Sequence, residues 1–363
     1  MRRDKGPWMI GMLICFALLL GGCSSSDDNG GGGGDDGGNN ADCGCVGGPE
    51  IEDDGIVFIF QDQEVEQPAN VTLFFKLEET DGAPLPDIPA TTFTIRENGQ
   101  EISPFESRQT IRPKPGAFTA QTLLLLDLSG SVIQTNTLAR LQEAAQTFIG
   151  QIMARPNEAD FGAFRTAIQW FDGAADLHPL VNFTADIDEL NTGIESLNAE
   201  LSEDRSTNLY GAVIQGVNRV RDEVNRASSA VSAGSLVVFT DGMDQAARRT
   251  LDDALNAVQN AEDEISIYTI GLGDDTDEGV LARLGAEGFF KSDNLDGLVS
   301  NFQAVARSIT ADVNSNYILE YCSPKRQGAH DLTVAVEIDG RSGSLTNCFC
   351  ADGFTGGCEI DSP

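Results

Sequence analysis

The sequence predicts an α/β protein built on a doubly wound, mostly parallel sheet, with β-sandwich segments on either side of it. Three observations carry this. Residues 123–126, 236–239 and 265–270 are short apolar runs of the kind that suit parallel strands covered on both faces. Between and after them apolar residues recur at helical spacing: Leu138, Leu141, Ala145, Phe148, Ile149 and Ile152, then Leu209, Ala212, Val213, Gly216, Val217, Val220 and Val224, then Leu298, Phe302, Val305 and Ile309. Strand alternating with helix predicts a doubly wound sheet. The flanks are different: Ile56 to Phe60, Val71 to Phe75 and Thr92 to Ile95 are β-type runs, with turn residues such as Asp81-Gly82 and Asn98-Gly99 between or after them.

Composition sets the outer bounds. The chain has 363 residues, with 57 Asp+Glu against 23 Lys+Arg, a formal net charge of -34, and 40% hydrophobic residues. Enough apolar material exists to bury a core, so the acidity is not that of a disordered tail. A nucleic-acid partner is excluded, because phosphate contacts need a basic face. His178 and His330 are the only histidines and lie far apart, which leaves little for a zinc enzyme or a His-based triad. The expected inorganic partner is a hard cation held by oxygen.

In chain order, residues 1–22 have the layout of a signal peptide. Arg2, Arg3 and Lys5 precede the thirteen residues from Trp8 to Leu20, apolar apart from one glycine and too short for a spanning helix of about 20 residues. Leu20-Gly21-Gly22-Cys23 resembles the lipobox of bacterial lipoproteins, which implies a lipid on Cys23 and cleavage before it. In that analogy Ser24 points to the outer membrane of a Gram-negative envelope. Residues 24–55 hold eleven Gly, nine Asp+Glu and no Lys or Arg, so residues 23–55 read as a lipidated cysteine and a flexible tether. Gly32 to Gly37 formally matches G-x-G-x-x-G, but no strand precedes it, so it is not a dinucleotide site.

Residues 56–120 are a β-rich, immunoglobulin-like segment, residues 121–313 the α/β domain, and residues 314–363 further strands with a Cys-rich tail. The two β segments either share one discontinuous sandwich or form two separate modules.

The chemistry-bearing residues cluster at strand ends. Asp127, Ser129 and Ser131 follow the apolar run 123–126, Thr207 lies in a loop before a helix, and Asp241 follows the run 236–239. In a doubly wound sheet the carboxyl ends of strands line the binding crevice, so the three segments are expected at one edge. Two carboxylates and three hydroxyls form an all-oxygen set suited to Mg²⁺, with an open position for an incoming carboxylate. Asp274 to Glu278 is acidic but lacks the spacing of a calcium loop and reads as a solvated loop and helix start.

These residues resemble the von Willebrand factor type A family and its metal-ion-dependent adhesion site. DLSGS at 127–131, STNL at 206–209 and TDG at 240–242 match its D-x-S-x-S, Thr and Asp-Gly pattern in order and spacing. The resemblance spans roughly residues 120–313 and implies a Rossmann-like fold. By that resemblance Asp127, Ser129, Ser131, Thr207 and Asp241 are the metal-site residues, for Mg²⁺ with Mn²⁺ or Ca²⁺ as alternatives. With the lipobox it implies a non-enzymatic, lipid-anchored envelope protein that binds a protein or other carboxylate-bearing ligand, or else a scaffold subunit of an envelope assembly. An enzyme is the third reading, and no base beyond the ligands themselves is evident.

With Cys15 in the leader and Cys23 lipidated, six cysteines remain, an even number that suits an oxidising compartment. Residues 348–358 resemble the end of an epidermal growth factor module, without its first half. Cys322 is expected to bond within that cluster and close the C-terminal hairpin.

Overall fold

The computed structural model describes residues 43–45, 47–103, 109–113, 118–133, 136–153, 163–227, 231–261, 265–358 and 360. The leader, Cys23 and the tether up to residue 42 lie outside them. The first strands are β1 (Glu50–Asp54), β2 (Ile56–Glu66), β3 (Asn70–Glu79), β4 (Phe93–Glu97), β5 (Gln100–Glu101) and β6 (Gln109–Pro113). The α/β unit follows with β7 (Phe118–Asp127), α1 (Asn136–Ile152), β8 (Phe164–Phe171), β9 (His178–Thr184), α2 (Ile187–Ser196), α3 (Leu209–Val224) and β10 (Val231–Thr240). It continues through α4 (Leu251–Gln259), β11 (Ile265–Leu272), α5 (Glu278–Leu284), β12 (Gly288–Ser292) and α6 (Leu295–Asn314). Last come β13 (Asn316–Cys322), β14 (Ala329–Ile338) and β15 (Arg341–Cys350).

The central sheet has the order β12-β11-β10-β7-β8-β9, parallel throughout except for β9 at one edge. Its middle strands are apolar on both faces because both are covered. Leu124 and Leu126 of β7 pack with α1, α2 and α6, while Leu123 and Leu125 pack with α3, α4 and α5. This is the period-2 alternation of a strand serving two cores at once. Several acids do local work as helix caps: the carboxylates of Asp186 and Asp277 accept backbone N–H groups at the starts of α2 and α5, and Thr250 and Asp253 form a capping box on α4. Asp277 thus gives the acidic 274–278 loop its helix start.

The flanking strands form one discontinuous sandwich, resolving the two arrangements left open by the sequence. One sheet has the order β2-β3-β13-β6 and the other β1-β15-β14-β4-β5, so β13 and β14 pair with strands that precede the α/β unit. Phe58, Phe75, Tyr317, Leu332, Leu345 and Phe349 are buried between them. Tyr317 stacks on Phe75, and its hydroxyl donates to Leu85 O and accepts from Ile88 N, both at 2.8 Å, so the buried phenol is satisfied.

Two sequence expectations change here. Residues 50–54, read as the end of a tether, instead form β1, which pairs antiparallel with β15 from Glu50↔Thr346 to Asp54↔Ser342. Disulfides Cys43–Cys350 and Cys45–Cys348 hold the preceding residues to the same strand, which composition alone could not show. Cys322 does bond within the 348–358 cluster, to Cys358, but the bond ties β13 to the tail rather than closing the β14–β15 hairpin. Cys348 and Cys350 already have partners, and the hairpin is closed by its own ladder from Ala329↔Cys350 to Ile338↔Arg341.

Candidate metal centre

The first strand of the central sheet, β7, lies between β10 and β8, so its carboxyl end is where the chain's connections diverge to opposite faces. Asp127 closes β7 and is fully buried. Its Oδ1 accepts from Ser129 N at 2.8 Å and its Oδ2 from Thr240 Oγ1 at 2.6 Å. Burial, opposed by those hydrogen bonds and reinforced by the charge of Asp241, pushes its carboxyl up to about 7. Asp241 is also raised, first by burial, with the Ser131 hydrogen bond opposing and Asp275 adding.

Ser131 Oγ donates to Asp241 Oδ1 at 2.6 Å, bridging the loops after β7 and β10. Thr207 is buried, and a Cβ built on Gly242 would lie 3.7 Å from its Oγ1, so its hydroxyl faces the residue after Asp241. Its carbonyl accepts from Gln245 N at 2.8 Å and Ala246 N at 3.0 Å. The five sequence-predicted residues therefore come to one edge, supplied by the loops after β7 and β10 and the loop before α3.

Sequence reasoning missed the groups that hold these loops. Thr240 is one, and Asp172 is the other. Asp172 is buried at the end of β8; its Oδ1 accepts from Ala174 N at 2.8 Å and its Oδ2 from Ser202 Oγ at 3.1 Å and Asp204 N at 3.3 Å. Its carbonyl accepts from Asn208 N at 2.9 Å, which sets the loop carrying Thr207 against the sheet. The signal was present: Phe171-Asp172-Gly173 is an acid and a glycine at the end of a strand, as in Thr240-Asp241-Gly242. A side chain at Gly173 would collide with the Ser206 hydroxyl and the Asp204 carboxylate, so close approach requires glycine there. His178 stacks on Trp170 and lies 3.4 Å from Asp172, while His330 bonds Asn98 and Gln327; both are away from the five residues.

The donor set fits a divalent cation. Among the described residues neither carboxylate has an ion pair with a basic side chain, both acids are desolvated, and the Ser129 hydroxyl is buried beside Asp127. Two desolvated acids side by side are costly unless something positive completes the site.

The family model for the von Willebrand factor type A domain matches residues 123–305, half of the chain. The chain belongs to the von Willebrand factor type A family. The match begins in β7 and ends in α6, so the type A domain is the α/β unit of the fold. Among solved structures, the vWF domain of the type V pili tip protein Mfa5 from Porphyromonas gingivalis is 15% identical, over 54% of this chain and 96% of its own, with a TM-score of 0.44. A von Willebrand factor type A protein from Catenulispora acidiphila is 11% identical over 81% and 71%, TM-score 0.44. Proximal thread matrix protein 1 from the mussel byssus, with zinc in its MIDAS motif, is 15% identical over 60% and 49%, TM-score 0.42. No curated protein matches the chain.

Proposed function

We propose that the type A domain holds Mg²⁺ through Asp127, Ser129, Ser131, Thr207 and Asp241 and uses it to bind a carboxylate of a protein ligand. In this reading the chain is a non-enzymatic adhesion module of a bacterial envelope, anchored through lipid on Cys23. The observation that carries the metal reading is the pair of desolvated acids at the carboxyl ends of β7 and β10, with the buried Ser129 hydroxyl beside Asp127. A bound Mg²⁺ supplies an electrophilic position at which a ligand carboxylate replaces a water. The protein's own part is positioning: Thr240 and Ser129 N fix the Asp127 carboxylate, Ser131 fixes Asp241, and Asp172 fixes the Thr207 loop. Both carboxylates are committed to the cation in this arrangement, which leaves neither as a base for turnover.

Support for the envelope comes from two sides. The Leu20-Gly21-Gly22-Cys23 sequence follows a basic start and an apolar run, and three disulfides belong in an oxidising compartment. The test is calorimetric titration of Mg²⁺ into EDTA-stripped protein, followed by capture of envelope proteins with and without EDTA. Metal uptake with EDTA-sensitive capture is the expected result. Capture that is indifferent to EDTA would assign partner binding to the sandwich and make the chain a scaffold.

A further inference from the structure

We propose that Arg205 is a ligand-contact residue of the metal edge, its guanidinium binding the oxygen of a captured carboxylate that the cation leaves free. The proposal rests on the metal reading above and adds to it a residue and a chemistry for the ligand's second oxygen.

Arg205 lies in the loop that carries Thr207, and its carbonyl accepts from Gly130 N at 2.9 Å. Gly130 separates Ser129 from Ser131. A Cβ built on it would stand 3.2 Å from Arg205 Cβ and 3.8 Å from Arg205 Cδ, so the arginine stem lies across the loop bearing both serines. The side chain is exposed, and among the described residues its guanidinium has no ion pair or hydrogen bond. Arg248, near the same loop, differs: its Nε donates to Gly173 O at 2.5 Å and its Nη2 to Asp204 Oδ2 at 3.3 Å, so its charge is spent as a strut.

The chemistry follows from what a cation and a carboxylate can share. A site that offers one open position takes one carboxylate oxygen. The other oxygen keeps most of its charge and is stabilised best by a planar, two-pronged donor, which Arg provides and Lys does not. The local field makes this donor necessary: the chain carries a net charge of -34, and Asp244, Asp275 and Asp277 stand on neighbouring loops of the same edge. A free guanidinium beside the serine loop offsets that repulsion at close range.

The experiment uses the full chain in detergent, loaded with Mn²⁺ in place of Mg²⁺, and fluoroacetate as a minimal carboxylate probe. Fluorine relaxation reports how often the probe visits the paramagnetic ion, and titration gives Kd. Arg205→Ala is expected to raise the fluoroacetate Kd about tenfold, the effect of losing one charge-assisted hydrogen bond, with Arg205→Lys intermediate. Its Mn²⁺ affinity, measured with the metal alone, should be equal to or slightly tighter than wild type, because a nearby positive charge has gone. Arg249→Ala, which removes an exposed charge from the same edge, should leave the fluoroacetate Kd unchanged. An unchanged Kd in Arg205→Ala, or an equal loss in Arg249→Ala, overturns the proposal while leaving the metal site standing. Absence of Mn²⁺ uptake by wild type overturns the metal reading and this proposal with it.

Discussion

Thr240 Oγ1 donates a 2.6 Å hydrogen bond to Asp127 Oδ2, joining the carboxyl ends of two adjacent parallel strands beneath the candidate metal centre. Both residues are fully buried, so the bond has no water to replace it. Thr240→Val keeps the shape and removes the donor, leaving one carboxylate oxygen unsatisfied. The expected cost is about 1–3 kcal/mol, read by urea unfolding in EDTA, with Thr240→Ser retaining most of the stability. A Val variant as stable as wild type would mean that Asp127 draws its support from elsewhere.

The parts of this fold that could be read from sequence are those whose surroundings leave a local trace. β7, β10 and β11 are buried on two faces and show it as apolar runs, and α1, α3 and α6 are long enough to display a stripe. β8 mixes Arg165, Thr166 and Gln169 with apolar residues and left no clear run, while α4 spans about two and a half turns and α5 about two. The sandwich pairing was illegible for another reason. β13 and β3 meet across the whole α/β unit, and neither strand's pattern encodes which distant edge it will join. At the site, Asp127, Ser129, Ser131 and Asp241 were legible because a strand end followed by a turn has a recognisable composition, while Thr207, in the loop before α3, was legible only through the family pattern. Arg205 had no such signal, since its role depends on Gly130 coming against it from another loop.

Thr207 gives the sharpest test of the metal reading. The residue at the N-cap of α3 is Asn208, with no side-chain cap hydrogen bond, so Thr207 does not cap the helix. Its carbonyl holds Gln245 and Ala246 through the backbone, which any side chain preserves. Thr207→Val keeps the buried volume and loses only the hydroxyl. Mg²⁺ affinity by calorimetry should fall at least about tenfold, while the melting temperature in EDTA moves by a few degrees at most. Thr207→Ser should bind Mg²⁺ nearly as wild type does. Equal affinity in the Val variant would remove Thr207 from the ligand set.

The anchor is tested at Cys23. Its sulfur is both the lipid acceptor and the marker of the cleavage site in the lipobox reading, so Cys23→Ser should abolish palmitate labelling and leave the leader uncut. Mass spectrometry of the N-terminal peptide distinguishes the cut from the uncut chain. Labelling that persists in the variant would place the lipid elsewhere or show that the leader is an ordinary secretory signal.

The paired disulfides make a prediction about additivity. Cys43–Cys350 and Cys45–Cys348 close loops with sequence separations of 307 and 303, and their cysteines sit two residues apart both in the segment before β1 and on β15. A single crosslink over such a loop restricts the unfolded chain by about 6 kcal/mol in the chain-entropy model. Once one bond is closed, the other joins residues already held near each other, so its own loop is only a few residues long and its added effect is small. Cys45→Ser with Cys348→Ser should therefore cost little, and so should Cys43→Ser with Cys350→Ser. Replacing all four should cost several kcal/mol more than the two double variants together. It should also free β1, whose exposed residues otherwise pair with β15, to proteolysis at residues 50–54. The measurements are urea unfolding of the four forms and limited proteolysis under non-reducing conditions. Simple additivity of the two doubles would mean that the bonds do not act on the same loop, and peptide mapping that paired these cysteines differently would explain why.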